Sequence, residues 1–285
     1  MNNVAIIGPG AVGSTIAFDL RDASLNVKLL GRRNETLHYY SNNALDTKYQ
    51  LDVCALNEYH ETVDFLFITV KIPQLDTVLT SYQHLLYKNT IIILAQNGHG
   101  QLHKFDHPYV YQAVVYISGQ KTGNTITHYR DHKLILDQNA HTQALHQCIS
   151  NSSLNIELTT DIDNAIWYKL LVNLAINSVT ALTRSTASVL EVPGIKKLCE
   201  QLLLEGINIA KAEHVHFEPN IVNTILNIYD GYPAEMGTSM YYDIVDGRSL
   251  EIDGIQGYLF YKARKHHLNT PILDTIYHLL LAQQK

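Results

Sequence analysis

The pattern of apolar and polar positions changes period near the middle of the chain. In the first half, short apolar runs alternate with helical stretches, the mark of βαβ units feeding a parallel sheet. Residues 4–8 predict a strand, 11–20 a helix and 27–30 a second strand. The runs DFLFITV at 64–70 and TIIILA at 90–95 are apolar without alternation, so both predict strands covered on two faces. Residues 109–117 predict one more strand, and 126–136, which alternate and are more polar, a hairpin or edge strand. Beyond residue 161 the period becomes helical. Helices are expected over 161–182, with Asp161 or Asp163 as cap, and over 194–212, 220–228 and 271–284. In the last, Thr270 is the expected cap and Pro271 takes the first helical position. The expected fold class is α/β: a Rossmann dinucleotide-binding domain over residues 1–160, then an all-helical domain over 161–285.

Composition narrows the function classes. A hydrophobic fraction of 46% suffices for two cores, and a formal net charge of -6 with scattered basic residues speaks against nucleic acid. The apolar start, Val4 to Ile7, is far too short for a signal peptide or a membrane span. Cys54, Cys148 and Cys199 form no CxxC pair, which suits a reducing, cytoplasmic compartment. Fifteen histidines are present, but no HExxH and no zinc spacing. His99, His103 and His107 are four apart, yet Pro108 and an Asn-Gly turn interrupt a helix there. They are read as scattered surface histidines, and no metal is expected.

Candidate chemistry begins at Gly8-Pro9-Gly10-Ala11-Val12-Gly13, a GxGxxG between an expected strand and an expected helix. Gly8 permits the tight turn, Gly10 lets backbone approach a pyrophosphate, and Gly13 lets helix and strand close up. The helix N-terminus adds N–H donors and partial positive charge. Where an NAD enzyme carries Asp or Glu at the end of strand two, this chain has Leu30-Gly31-Arg32-Arg33. Guanidinium groups suit a 2′-phosphate, so the expected cofactor is NADPH/NADP; the plainer reading is a solvated turn.

The helix IWYKLLVNLAINSVTAL is mostly large and apolar, yet Lys169, Asn173 and Asn177 recur every four residues on one face. Burying an amine and two amides without partners is costly, so a polar substrate bound at that face is expected. A solvated stripe or a purely structural network would place the same residues. Lys71 and Asn97 end the two buried strands, where open α/β sheets take their ligands; a capping lysine and an Asn-Gly turn are the plainer readings. The segment from Thr238 to Gly254 reads by composition only as a loop and the start of a helix.

Together these segments resemble the ketopantoate reductase (2-dehydropantoate 2-reductase) family over essentially the whole chain. The shared marks are GPGAVG at 8–13, VK at 70–71, QNG at 96–98, WYKLLVNLAINSVTAL at 167–182 and TSMYYDIVDGRSLEIDGIQG at 238–257. The resemblance implies an NADPH-dependent reductase of a small 2-keto acid, on the route to pantothenate and coenzyme A. It implies Lys169 as general acid, with Asn97, Asn173, Asn177 and Ser239 on the substrate. It further implies the glycine loop, Arg32, Lys71, Asn97 and Glu251 on the cofactor. A further substrate asparagine of some members has no counterpart in RSTA at 184–187. That leaves the contact to the distal hydroxyl unassigned. A reductase of another small 2-keto acid and a silent NADP-binding sensor are the alternatives. The apolar helices of the second domain allow a homodimer, and neither membrane nor nucleic acid is expected.

Overall fold

The structure is a computed structural model describing residues 2–42 and 44–284. The chain divides into two compact units: Met1–Gln96 with Gln101–Ile162, and Asn97–Gly100 with Asp163–Lys285.

The first unit is built on one sheet. Its elements in order are β1 (Asn2–Ile7), α1 (Ala11–Leu20), β2 (Leu25–Gly31), β3 (Glu35–Ser41), β4 (Ala44–Ala55) and β5 (Phe65–Ile68). They continue with α2 (Leu75–Leu79), β6 (Ile91–Leu94), β7 (Val110–Gln112), β8 (Val114–Thr122), β9 (Thr125–Asp137), α3 (Ala140–Cys148) and β10 (Asn155–Thr159). The strand order is β10-β9-β3-β4-β2-β1-β5-β6-β7, with β8 paired to β9. Strand β1 runs parallel to β2 on one side and to β5 on the other, so the chain reverses direction across the sheet at the end of β1. That reversal opens a crevice at the strand's carboxyl end.

The central strands are covered on both faces, as their unbroken apolar runs predict. Val4, Ile6, Phe65, Phe67, Ile91 and Ile93 join Ile16, Phe18 and Leu20 of α1 in one core. The intervening Ala5, Ile7, Leu66, Ile68, Ile92 and Leu94 join Leu75, Val78 and Leu85 in another. Each large side chain so buried contributes roughly 1.5–3 kcal/mol.

Several expectations fail in this unit. Between β2 and β5 the described residues form no long helix; β3 pairs antiparallel with β4, and β4 then lies parallel to β2. The strand expected over 109–117 is two, because at Ala113 the chain leaves the β6 edge and β8 turns to pair with β9. Of the two readings of residues 126–136, the hairpin holds and the edge strand does not: β9 forms an antiparallel hairpin with β8 and also pairs with β3 and β10. The histidines are not all on the surface. His128 is fully buried, and His132 donates or accepts at 2.8 Å with the buried carboxylate of Asp19. Sequence spacing gave no sign of either, because their partners come from distant strands and helices.

The second unit is helical: α4 (Ile162–Thr183), α5 (Ile195–Ala212), α6 (Ile221–Asp230), α7 (Ser239–Val245), α8 (Gln256–Lys265) and α9 (Pro271–Ala282). α4 is long and apolar enough to cross a membrane by length and composition alone, but 72% of its most apolar window is buried within the protein. Trp167, Leu171, Leu174 and Ile176 of α4 share a core with Leu202 and Leu203 of α5, Ile225 of α6, Leu259 of α8 and Ile276 of α9. α5 begins after Gly194, whose φ of +91° is a left-handed conformation that glycine adopts without strain.

Candidate active site

In the sheet unit, the glycine loop follows β1 at the reversal point. Gly8 has φ +118°, and a Cβ there would lie 2.7 Å from the Val70 nitrogen. A Cβ on Gly13 would meet the Gly8 carbonyl oxygen at 2.2 Å, which fixes glycine at the close approach of α1 to the loop. A Cβ on Gly10, by contrast, would meet no protein atom within 4 Å. The loop is thus tight against the sheet and open in front. α1 starts with no acidic residue in its first turn, so its N–H groups and positive dipole end face that opening uncompensated by charge. These features fit the diphosphate of a dinucleotide.

Thr69, which the sequence reading passed over, holds the loop in place. Its hydroxyl lies 3.0 Å from the Ile7 carbonyl and 2.9 Å from that of Gly8. Lys71, two residues on, is half-buried, and Arg32 just past β2 is exposed. Pro9 packs at the end of β2, where a Cβ on Gly31 would meet its ring at 3.0 Å.

In the helical unit, α4 presents the recurring polar residues. Lys169 and Asn173 are half-buried and Asn177 is 4% exposed, amid apolar neighbours that are almost all buried. Three other segments are drawn onto this helix or its surroundings. The segment Asn97–Gly100 belongs to the helical unit, although it follows β6 directly in sequence. It docks on the turn at Ile252–Gly254: the His99 N–H donates to the Gly254 carbonyl at 2.8 Å, and a Cβ on Gly98 would lie 2.6 Å from that same oxygen. This brings Asn97 to the segment that begins with Glu251, which is 4% exposed. His99 also packs edge-on against Tyr258, whose ring in turn meets Trp167, two residues before Lys169. Burial, with the charges of Glu213 and Asp163, pushes the Tyr258 hydroxyl up, so it stays a neutral phenol.

Ser239 is reached from the other end of α4. The segment read as a loop and the start of a helix holds helix α7, capped by Thr238, whose hydroxyl accepts from the Tyr241 N–H at 3.1 Å. The same hydroxyl meets that of Thr180, one turn beyond Asn177 on α4, at 2.7 Å. Ser239, next in sequence, is exposed. Gln256, opening α8, donates to the Ser178 hydroxyl at 2.9 Å and is fully buried. Neither Thr180–Thr238 nor Ser178–Gln256 was legible in the sequence, since a threonine or glutamine by itself names no partner. Asn97, Lys169, Asn173, Asn177, Ser239 and Glu251 all belong to the helical unit. The sheet unit carries Gly8 to Gly13, Arg32 and Lys71.

A Rossmann sheet with an open glycine loop, and a helical unit with a half-buried amine beside amides, define an NAD(P)H-dependent oxidoreductase. Residues 4–140 match the family Ketopantoate reductase PanE/ApbA, and residues 161–284 its C-terminal family. A 2-dehydropantoate 2-reductase of Mycobacterium tuberculosis is 26% identical over 98% of this chain and 97% of its own length. The structure of a dimeric ketopantoate reductase from Staphylococcus aureus superposes with a TM-score of 0.96 at 48% identity, covering 99% of this chain and 98% of the other. A D-mandelate dehydrogenase, solved with NADH and anilino(oxo)acetate, shares the fold at TM-score 0.88 and 21% identity, covering 99% of this chain and 98% of the other. The chain belongs to the ketopantoate reductase family and is an oxidoreductase of that type.

Proposed function

We propose that the protein reduces 2-dehydropantoate (ketopantoate) to (R)-pantoate with NADPH, in the cytoplasm and in the service of coenzyme A formation. What supports this reading is that the helical unit includes Asn97 and Glu251, and that Thr238, the residue before Ser239, bonds Thr180 of the helix that bears Lys169, Asn173 and Asn177. In this reading residues 1–160 hold the dinucleotide and 161–285 the keto acid. Gly8, Pro9, Gly10, Ala11, Val12 and Gly13 receive the diphosphate on backbone N–H groups, and Arg32 pairs with the 2′-phosphate. Lys71, Asn97 and Glu251 serve the rest of the cofactor.

The bound nicotinamide supplies the hydride. Lys169 offers its ammonium to the keto oxygen, stabilises the negative charge that develops there, and then gives up a proton to it. Asn173, Asn177, Asn97 and Ser239 orient the acid by hydrogen bonds, so that the carbonyl meets Lys169 in one pose. The dimeric Staphylococcus aureus relative supports a homodimer here too. Sedimentation should then report about twice the chain mass of 32.2 kDa, and a monomer at working concentration would refute it.

The decisive experiment follows oxidation of the reduced nicotinamide with ketopantoate, then with NADH and with other 2-keto acids. Turnover on ketopantoate with a strong NADPH preference is expected. Activity confined to another keto acid would overturn the substrate, and silence on all of them would favour a sensor.

A further inference from the structure

The end of β2 holds more charge than Arg32 alone. Lys121, on β8, donates to the Pro9 carbonyl of the glycine loop at 2.8 Å and lies 3.5 Å from the Glu35 carboxylate. The other oxygen of Glu35 accepts from Arg33 Nε at 3.2 Å and from its Nη2 at 3.0 Å. A line of charge, Arg33–Glu35–Lys121, therefore runs from the residues after β2 to the loop that receives the diphosphate. The chain is also anchored by packing, since Gly31 at the end of β2 lies against Pro9. Burial pushes the Glu35 carboxyl up, but the Arg33 hydrogen bond and the Lys121 charge outweigh it and hold the group below its ordinary range. Glu35 is thus an ionised acid between two cations.

Holding the loop would need only the Lys121–Pro9 bond. The partly buried acid does something else: it neutralises two cations beside the place where the adenosine ribose of a dinucleotide must lie, at the carboxyl end of β2. A phosphate monoester bears roughly 1.5–2 negative charges at neutral pH and outbids one carboxylate for those cations. A bare ribose hydroxyl bears none and leaves the pairs as they stand.

We propose that Lys121 is a specificity-determining cation for the 2′-phosphorylated cofactor, and that Glu35 is its internal counter-ion, which yields Lys121 and Arg33 to the phosphate on binding. The inference rests on the NADPH reading above and adds two residues that the GxGxxG and Arg32 signals do not reach. Glu35 also penalises the phosphate by like charge, so it should tune the preference downward while Lys121 tunes it upward.

The test is binding, separate from turnover. Dissociation constants for NADPH and NADH, and for the fragments 2′,5′-ADP and 5′-AMP, are measured by fluorescence and calorimetry on the intact protein. The variants are Lys121→Met, Glu35→Gln and Arg32→Ala. Lys121→Met should weaken NADPH and 2′,5′-ADP about tenfold, the scale of one charge-assisted hydrogen bond, and leave NADH and 5′-AMP within about twofold. Glu35→Gln should tighten the two phosphorylated ligands about threefold and leave the others in place. Equal losses for NADPH and NADH in Lys121→Met would reduce the lysine to a prop for the loop and overturn the inference. Wild-type preference for 2′,5′-ADP that Arg32→Ala erases but Lys121→Met leaves intact would overturn this inference alone. A wild-type protein indifferent to the 2′-phosphate would remove the NADPH reading, and the inference with it.

Discussion

Lys169 sits on a helix whose neighbouring positions are nearly all buried, and that placement constrains what its amine can do. Asn173 lies one turn on and Asn177 another, so the ammonium is followed along its face by two amides. α4 fixes where the half-buried Lys169 side chain leaves the backbone, on the same face as the two amides. Lys169→Ala should cut kcat at least about a hundredfold, the lower range for removing a general acid, while the NADPH dissociation constant stays within about twofold. Steady-state turnover together with fluorescence titration of the cofactor checks this. Near-normal kcat would move the proton to Lys71 or to water. This stripe was legible in the sequence because period-four spacing is a local property of a helix. The exposure of Ser239 and the burial of Glu251 were not, because each depends on what packs over a segment that composition reads only as a loop and the start of a helix.

At the scale of elements, Thr238 couples two helices. It caps α7 and bonds Thr180 of α4, and its neighbour is Ser239. Thr238→Ala should cost about 1 kcal/mol through the lost cap. If the link to α4 also positions Ser239, the variant should raise KM for the keto acid severalfold with little change in kcat, and Thr238→Ser should restore it. A lowered melting temperature with unchanged KM would confine Thr238 to capping. The missed strands teach the same point about pairing. Residues 44–55 alternate apolar and polar only loosely, and β4 is a strand because β2 and β3 flank it. Local propensity is a weak guide where ladder partners decide.

For the molecule as a whole, stability has a pH signature written by Asp19. Its side chain is buried on α1, with one oxygen on His132 Nδ1 and the other without a hydrogen-bond partner. Burial pushes its pKa from 3.8 up to about 6, against the hydrogen bond and charge of His132 and the charge of Arg21. Because the folded value exceeds the unfolded one, the native state binds the extra proton between about pH 4 and 6. Stability from this group is therefore full below that window and falls as pH rises through it, by on the order of 3 kcal/mol. Asp19→Asn should remove this fall, read as urea midpoints across the window. Parallel pH profiles for the two proteins would show that the carboxyl stays ionised throughout.

The sequence by itself determined the features that live within a few residues: the glycine loop, the apolar strands of the parallel sheet, the helices after residue 161, and the Lys169–Asn173–Asn177 stripe. Backbone geometry and side-chain period set these, and both act over one or two turns. Tertiary structure decided the rest, through partners far apart in the chain: Thr180 with Thr238 across 58 residues, Lys121 with Pro9 across 112, and His132 with Asp19 across 113. It also gave Asn97–Gly100 to the helical unit, against their place at the end of a sheet strand. Periodicity can say that a polar group will be buried and must be met. Only the packing of the whole chain chooses what meets it, because that choice depends on which distant segments the hydrophobic cores bring alongside.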